Sequence, residues 1–304
     1  MMELAQIRMF KMVANLGSVA QASVALHCVP SNVTARIKAL ETELKTTLFY
    51  REGRGLRITP AGEVFLTYAD KILSLTEEAK RAVDPTSEPS GPLRIGAIES
   101  SATSRLPPML TKFHTQYPNV ELQFKTGTWS QLLDDIQHHR LDGAIVAVDI
   151  DRSFVDSTTF FNEDLVLISS TSADPIKSVK DIEGKTIFMW PEPCPYRAAL
   201  ATWLNQNKVK APITSIASYG TIIGCVSAGS GISLVPKGIY EQYQSGMGLV
   251  GYEFEELETI ENHFIWRNDG GQFPALDAFT QMIKQNNHGE SPSNHSQHAQ
   301  EKPF

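Results

Sequence analysis

Cysteine is scarce in this 304-residue sequence: Cys28, Cys194 and Cys225 are the three present. They have no short metal-ligand spacing, and any disulfide scheme leaves one unpaired, so reduced, structural thiols are expected. No run of about 18 apolar residues occurs, which excludes a typical membrane-spanning helix. The opening stretch, MMELAQIRMFKMVANLGS, is amphipathic and lacks the unbroken apolar centre and small-residue cleavage site of a secretory leader; a cytoplasmic protein with no membrane partner is expected. Several enzyme signatures are missing as well: no G-x-G-x-x-G after a strand, no P-loop, no G-x-S-x-G and no H-E-x-x-H. The nearest glycine cluster, Ala228-Gly229-Ser230-Gly231, lies between an expected helix and an expected strand, the wrong order for a dinucleotide loop. His138 and His139 are adjacent and, on a helix, do not share a face. No enzymatic activity, cofactor or metal is expected.

Net basic charge is also lacking, since the formal total is −7. Its distribution matters more than the sum. Residues 1–58 hold eight basic groups (Arg8, Lys11, Arg36, Lys38, Lys45, Arg51, Arg54, Arg57) against four acidic ones (Glu3, Glu41, Glu43, Glu52), a net +4, which leaves −11 for the remainder. A small basic head on an acidic body fits nucleic acid at one end and a different task at the other.

What is present in the head is a run of short helices. In residues 3–16, Ile7, Phe10, Met12, Val13 and Leu16 fall near helical spacing, and Gly17 suits the left-handed turn that ends a helix. Ser18 caps a second helix, VAQASVALH. Pro30 opens a third, PSNVTARIKALETEL, with Val33, Ile37, Leu40 and Leu44 on its apolar face. Two short helices joined by a tight turn, the second with a polar outer face, form a helix-turn-helix. Leu48-Phe49, the turn Gly53-Arg54-Gly55 and Leu56-Arg57-Ile58 then read as a hairpin wing with an arginine at its tip.

Pro60 starts a long helix over 60–83. Phe65, Ala69, Ile72, Thr76, Ala79 and Val83 recur at spacings of four and three, a seam for pairing helices; Phe65, Ala69, Ile72 and Ala79 are the expected dimerisation residues. DPTSEPSGP (84–92) reads as a hinge. The body alternates strands and helices, which implies parallel sheets covered by helices, with a ligand cleft at the strand C-termini. The stretch from Asn286, NNHGESPSNHSQHAQEKPF, has almost no apolar content and is expected to be disordered.

The run GSVAQASVALHCVPSNVTARIKALETELKTTLFYREGRGLRITPAG resembles the N-terminal signature of LysR-type transcriptional regulators. PLRIGAIE, FHTQYPNVELQFKTGT, LDGAIV and VSAGSGISLVP sit where that family has landmarks of its effector domain, so the resemblance covers about residues 3–285. It implies an α/β protein with an N-terminal winged helix-turn-helix (1–59), a linker helix and hinge (60–90), and a two-subdomain, periplasmic-binding-protein-like (type 2) effector domain (91–286). Subdomain I would hold 91–162 and 264–286, subdomain II 163–263, with a tail over 287–304. It implies a sequence-specific regulator whose promoter binding responds to a small molecule. The partners would be double-stranded promoter DNA, an effector that is a carboxylate, an amino acid or an amine, RNA polymerase, and further copies of the chain as a dimer or tetramer. A solute-binding protein without a DNA role leaves residues 1–83 unexplained.

The third helix departs from the family pattern. Val29-Pro30-Ser31 stands where Ser-Gln-Pro is usual, and Ala35 where an arginine is common. The candidate DNA contacts therefore become Ser31, Asn32, Thr34 and Arg36, with Lys38 on the same helix and Arg54 at the wing tip. Asparagine can pair with adenine in bidentate fashion and arginine suits a narrow minor groove, whereas Ser31 and Asn32 can equally well serve as helix caps. On the effector side, residues matching Ser100 and Thr128 line the family's inducer cleft. Ser101, Thr103, Ser130, Arg197 and Thr221 are the further candidates, and Glu99 would suit a cationic ligand such as an amine or polyamine.

Overall fold

Local sequence sets the head. The computed structural model of the chain describes residues 1–53, 55–83, 88–148, 150, 153–269 and 273–287. Helix α1 (Leu4–Leu16) begins where the Gln6 side chain accepts from the Glu3 amide at 2.8 Å and ends at Gly17, whose φ of +62° a side chain would strain. Ser18 Oγ accepts from the Gln21 amide at 3.3 Å and caps α2 (Val19–Ala25). Pro30 occupies the first turn of α3 (Pro30–Leu44), where its missing N–H leaves no bond unmade. Strands β1 (Phe49–Glu52) and β2 (Gly55–Ile58) pair antiparallel as the wing. The hairpin is held to α3 by Glu41, whose carboxylate accepts from the Leu48 amide at 2.7 Å and the Phe49 amide at 3.3 Å. Ile7, Phe10, Leu40 and Leu48 form the buried centre.

Helix α4 (Pro60–Ala82) follows, and much of the expected seam lies against its own chain. Ala69 is fully buried in the same cluster as Ile7 and Phe10, Phe65 meets Phe10 edge-on with ring centroids 4.9 Å apart, and Ile72 packs beside them. That face closes on α1 of its own chain, and the ion pairs Lys11–Asp70 (2.7 Å) and Arg8–Glu77 (3.0 Å) border it. Of the four residues named, only Ala79 is exposed. The apolar face left open is a different stripe, with Val64 (61% exposed), Tyr68 (58%) and Leu75 (55%) at spacings of four and seven. Periodicity alone finds both stripes and cannot say which one α1 covers.

The body begins with β3 (Gly91–Ala97), α5 (Glu99–Ser104), α6 (Leu106–Gln116), β4 (Val120–Thr126), α7 (Trp129–Gln137), β5 (Gly143–Val146) and β6 (Val155–Glu163). The chain then crosses to a second subdomain: β7 (Leu165–Ser170), β8 (Ile187–Met189), α8 (Pro195–Gln206), β9 (Ile213–Ser215), α9 (Tyr219–Ser227), β10 (Ser233–Pro236), α10 (Lys237–Tyr243) and β11 (Leu249–Tyr252). It returns as β12 (Ile260–Arg267) and α11 (Pro274–Asn287).

The first sheet has the order β4-β3-β5-β12-β6 and the second β10-β7-β11, with β8 and β9 pairing separately. Strands β4 and β5 run parallel to β3, and β8 to β9, as the alternation of elements implies. The rest is antiparallel: β12 opposes both β5 and β6, and β10 and β11 both oppose β7. The physical reason is the double crossing. The strands that enter and leave the second subdomain lie side by side and must run in opposite directions. At this crossing Glu163, 1% exposed, accepts from Arg105 Nη2 at 2.9 Å, Arg105 Nε at 3.1 Å and the Gly238 amide at 3.0 Å, tying the two subdomains. One apolar cluster containing Leu141, Val146, Leu167, Leu200 and Trp203 spans both. From residue 288 onward the expected polar tail lies outside the described residues.

Candidate functional site

Two concavities hold some of the candidate residues. The first is an open groove of about 720 Å³ between the start of α2, the outer face of α3 and the wing, lined among others by Ser18, Thr34, Lys38, Arg51 and Gly55. Ser31 and Asn32 are exposed in the first turn of α3. Thr34 is exposed too, with its hydroxyl donating to the Pro30 carbonyl at 3.0 Å. Lys38 is exposed on the groove wall, whereas Arg36 turns back to pair with Glu3. Arg54 lies outside the described residues. Arg51 is not among the sequence candidates; its only signal is a basic residue alternating along a wing strand. Val29, just before Pro30, is 61% exposed and presents apolar surface at the start of the recognition helix.

The second concavity lies between the subdomains and is much smaller, with room for about 30 Å³. Ser100 and Thr128 line it, together with Glu99, Trp129, Trp190, Cys194, Tyr196 and Tyr219. Thr128 caps α7, accepting from the Gln131 amide at 3.3 Å while Gln131 Oε1 accepts from the Thr128 amide at 3.0 Å. The Ser100 and Tyr196 hydroxyls lie 3.3 Å apart, and Tyr196 donates to Asn262 Oδ1 at 3.4 Å. Burial pushes the Tyr196 and Tyr219 phenols and the Cys194 thiol up, so all three are neutral near pH 7.

The other sequence candidates lie outside this lining. Ser101 donates to Asn262 Oδ1 at 3.2 Å, Ser130 sits 3.2 Å from the Thr128 hydroxyl, and Thr221 donates to Ser218 Oγ at 3.1 Å. Thr103 is half-buried on α5. Arg197 is held by Glu192 at 3.3 Å and by Ser215 Oγ at 2.7 Å. Trp190-Pro191 and Tyr219-Gly220 also read in the sequence as apolar walls for such a site, although Trp190 alone reads there as core.

A third arrangement joins these regions. Ser74 of α4 is buried; its hydroxyl donates to the His139 carbonyl at 2.8 Å and accepts from Arg94 Nη2 at 2.8 Å. Arg94 also donates to the His139 carbonyl at 3.0 Å and to Asp142 Oδ1 at 2.7 Å. His139 follows the end of α7, whose first turn borders the cleft. Among the described residues no trio of histidine, cysteine or carboxylate side chains could hold a metal, and no helix is long and apolar enough to cross a membrane.

Comparison with known proteins agrees with this layout. Residues 4–63 match the model of the bacterial regulatory helix-turn-helix proteins of the lysR family, and residues 86–287 match the LysR substrate binding domain. The chain belongs to the LysR family of transcriptional regulators. Among its LysR relatives are the HTH-type transcriptional regulators YusT and GltR of Bacillus subtilis (strain 168). They are 38% and 36% identical, over 91% of this chain in both cases and 94% and 95% of theirs. The LysR fold is shared with a full-length OxyR variant from Pseudomonas aeruginosa (TM-score 0.73, 19% identity, 93% of this chain and 95% of that one). It is shared too with full-length CbnR in complex with its target DNA (TM-score 0.71, 19% identity, 94% and 100%). As a LysR regulator the chain combines a DNA-binding helix-turn-helix with an effector-binding domain, and its matched relatives are named as regulators rather than enzymes.

Proposed function

We propose that this LysR regulator reads promoter DNA through α3 and the wing and alters that binding when a small molecule enters the cleft beside Ser100 and Thr128. On this reading Ser31, Asn32 and Thr34 meet base edges, and Lys38, Arg51 and Arg54 meet phosphate or the minor groove. The observation that carries the reading is the Ser74–Arg94–His139 junction. Helix α7 is capped at the cleft by Thr128 at one end and leads at the other into the carbonyl that Ser74 grips. A shift of α7 on effector binding therefore reaches α4, and α4 carries the head.

A second copy pairs through the exposed stripe Val64, Tyr68 and Leu75 of α4, and two such pairs make the tetramer. Changed spacing between heads bends the promoter differently and helps or hinders RNA polymerase. The effector can shift this equilibrium only as far as its affinities for the two states differ. Gel retardation of the full chain on genomic promoter fragments tests the reading. Specific shifts that weaken steeply with salt are expected, and no shift at low salt would sink it. Ser74→Ala should leave retardation without effector nearly unchanged and blunt its response to effector; an unaltered response would remove α7 and α4 as the route.

A further inference from the structure

We infer that the cleft takes a small organic cation, an amine or a quaternary ammonium, in preference to a carboxylate; this rests on the reading of the cleft as the effector site. Glu99 is the one charged residue in its lining. It is half-buried, and no described residue makes a hydrogen bond or ion pair with its carboxylate. A carboxylate partly withdrawn from water and lacking a partner favours a counter-cation in the space beside it.

The walls suit the same ligand. Trp190 stacks on Tyr219, with ring centroids 4.9 Å apart and planes at 29°, and Trp129 and Tyr196 border the same space. Aromatic faces attract cations and not anions, most strongly where water is excluded.

Several of the groups that would hold a carboxylate are committed elsewhere. Thr128 and Gln131 close the first turn of α7 on each other. Ser218 accepts from the Thr221 amide at 3.2 Å at the start of α9. Cys194 accepts from the Tyr196 and Arg197 amides at the start of α8. Arg197, the guanidinium nearest the cleft in sequence, is taken by Glu192, Ser215 Oγ and the Trp190 carbonyl at 3.4 Å. With room for about 30 Å³, the cleft suits a small ligand.

The test uses the full-length protein and size-matched probes at constant ionic strength: benzylamine and choline against benzoate and the neutral benzyl alcohol. Thermal shift and tryptophan fluorescence titration supply the readouts. The amine or the ammonium is expected to raise Tm and perturb the fluorescence, with benzoate inert. Glu99→Gln should weaken cation binding at least tenfold at unchanged Tm without ligand, and Trp190→Ala should weaken it independently. Benzoate binding in place of the cations, or indifference to both cations, overturns the charge preference. Cation binding that survives both Glu99→Gln and Trp190→Ala places the ligand outside the cleft. That outcome overturns the effector-site reading itself and leaves the DNA-binding test above untouched.

Discussion

The DNA-binding head and the effector cleft solve opposite problems with opposite surfaces. The head keeps an open groove of about 720 Å³ beside an exposed recognition helix, with Lys38 and Arg51 on its walls. The cleft is small, about 30 Å³, and lined by aromatic rings around one carboxylate. DNA is large and rigid, so its binding surface must stand ready before contact. A small effector can be enclosed, and on the proposed reading enclosure lets its binding move the two subdomains. Among the described residues, the Ser74 hydroxyl and the Arg94 guanidinium meet at the His139 carbonyl and join α4 to the body.

If the groove is the ready-made surface, removing its cations should cost DNA affinity and nothing else. The double substitution Lys38→Ala with Arg51→Ala is expected to weaken retardation at least ~10-fold at moderate salt. It should also reduce the slope of log affinity against log salt by about 2, close to one unit for each phosphate no longer neutralised. Thermal stability and effector response should stay unchanged, because both side chains point into solvent-filled space. A retained salt slope would mean that the phosphates lie elsewhere on the head.

The same contrast explains what was legible in the residues themselves. The head was readable because its signals are contiguous: Ser18 at a cap, Pro30 in a first helical turn, and Gly53 and Gly55 at a wing turn all act on neighbouring backbone. The cleft draws on Ile98–Ser100, Gly127–Trp129, Trp190, Pro193–Tyr196 and Tyr219, segments that only the double crossing of the chain brings together. Ser100 and Thr128 could be chosen through the family resemblance. Arg197 could not be set aside, since nothing in its surroundings in sequence shows that Ser215 would take its guanidinium. Strands β6 and β11 and helix α10 carry weak sequence signals for a related reason. VDSTTFFNE is mostly polar, LVGY is four residues with a glycine, and KGIYEQY is two turns, so each depends on its neighbours more than on its own periodicity.

The two faces of α4 allow a second, smaller contrast. The inner face is filled, so Ala69→Asp should place an unpaired carboxylate in the head's core and destabilise it by several kcal/mol, on the order of 3 or more. The outer face is open. Tyr68→Glu with Leu75→Glu should leave the fold's thermal stability nearly intact while sizing chromatography shows a monomer. Should that variant keep its oligomeric size, the pairing surface lies elsewhere. A stable Ala69→Asp protein would show that α4 does not close on α1.

Acid sensitivity gives the finest distinction between head and body. The head's ion pairs Arg36–Glu3 and Arg57–Glu52 are exposed, so their loss should matter little. Asp135 of α7 differs. Burial pushes its carboxyl up, but hydrogen bonds from Lys125 and Arg140 outweigh that and hold it below its ordinary 3.8. A carboxyl whose folded pKa lies below its unfolded value stabilises the fold at neutral pH, and that contribution fades as pH falls through the ordinary aspartate range toward the lowered folded value. Asp135→Asn should therefore lower the Tm of the effector domain at pH 7, and the gap from the unsubstituted protein should shrink steadily below about pH 4. Because α7 also leads from Thr128 to the carbonyl that Ser74 grips, the substitution should blunt effector response by less than Ser74→Ala does. A Tm gap that stays constant down to about pH 3 would show that Asp135 acts through packing alone and that its charge contributes nothing to the position of α7.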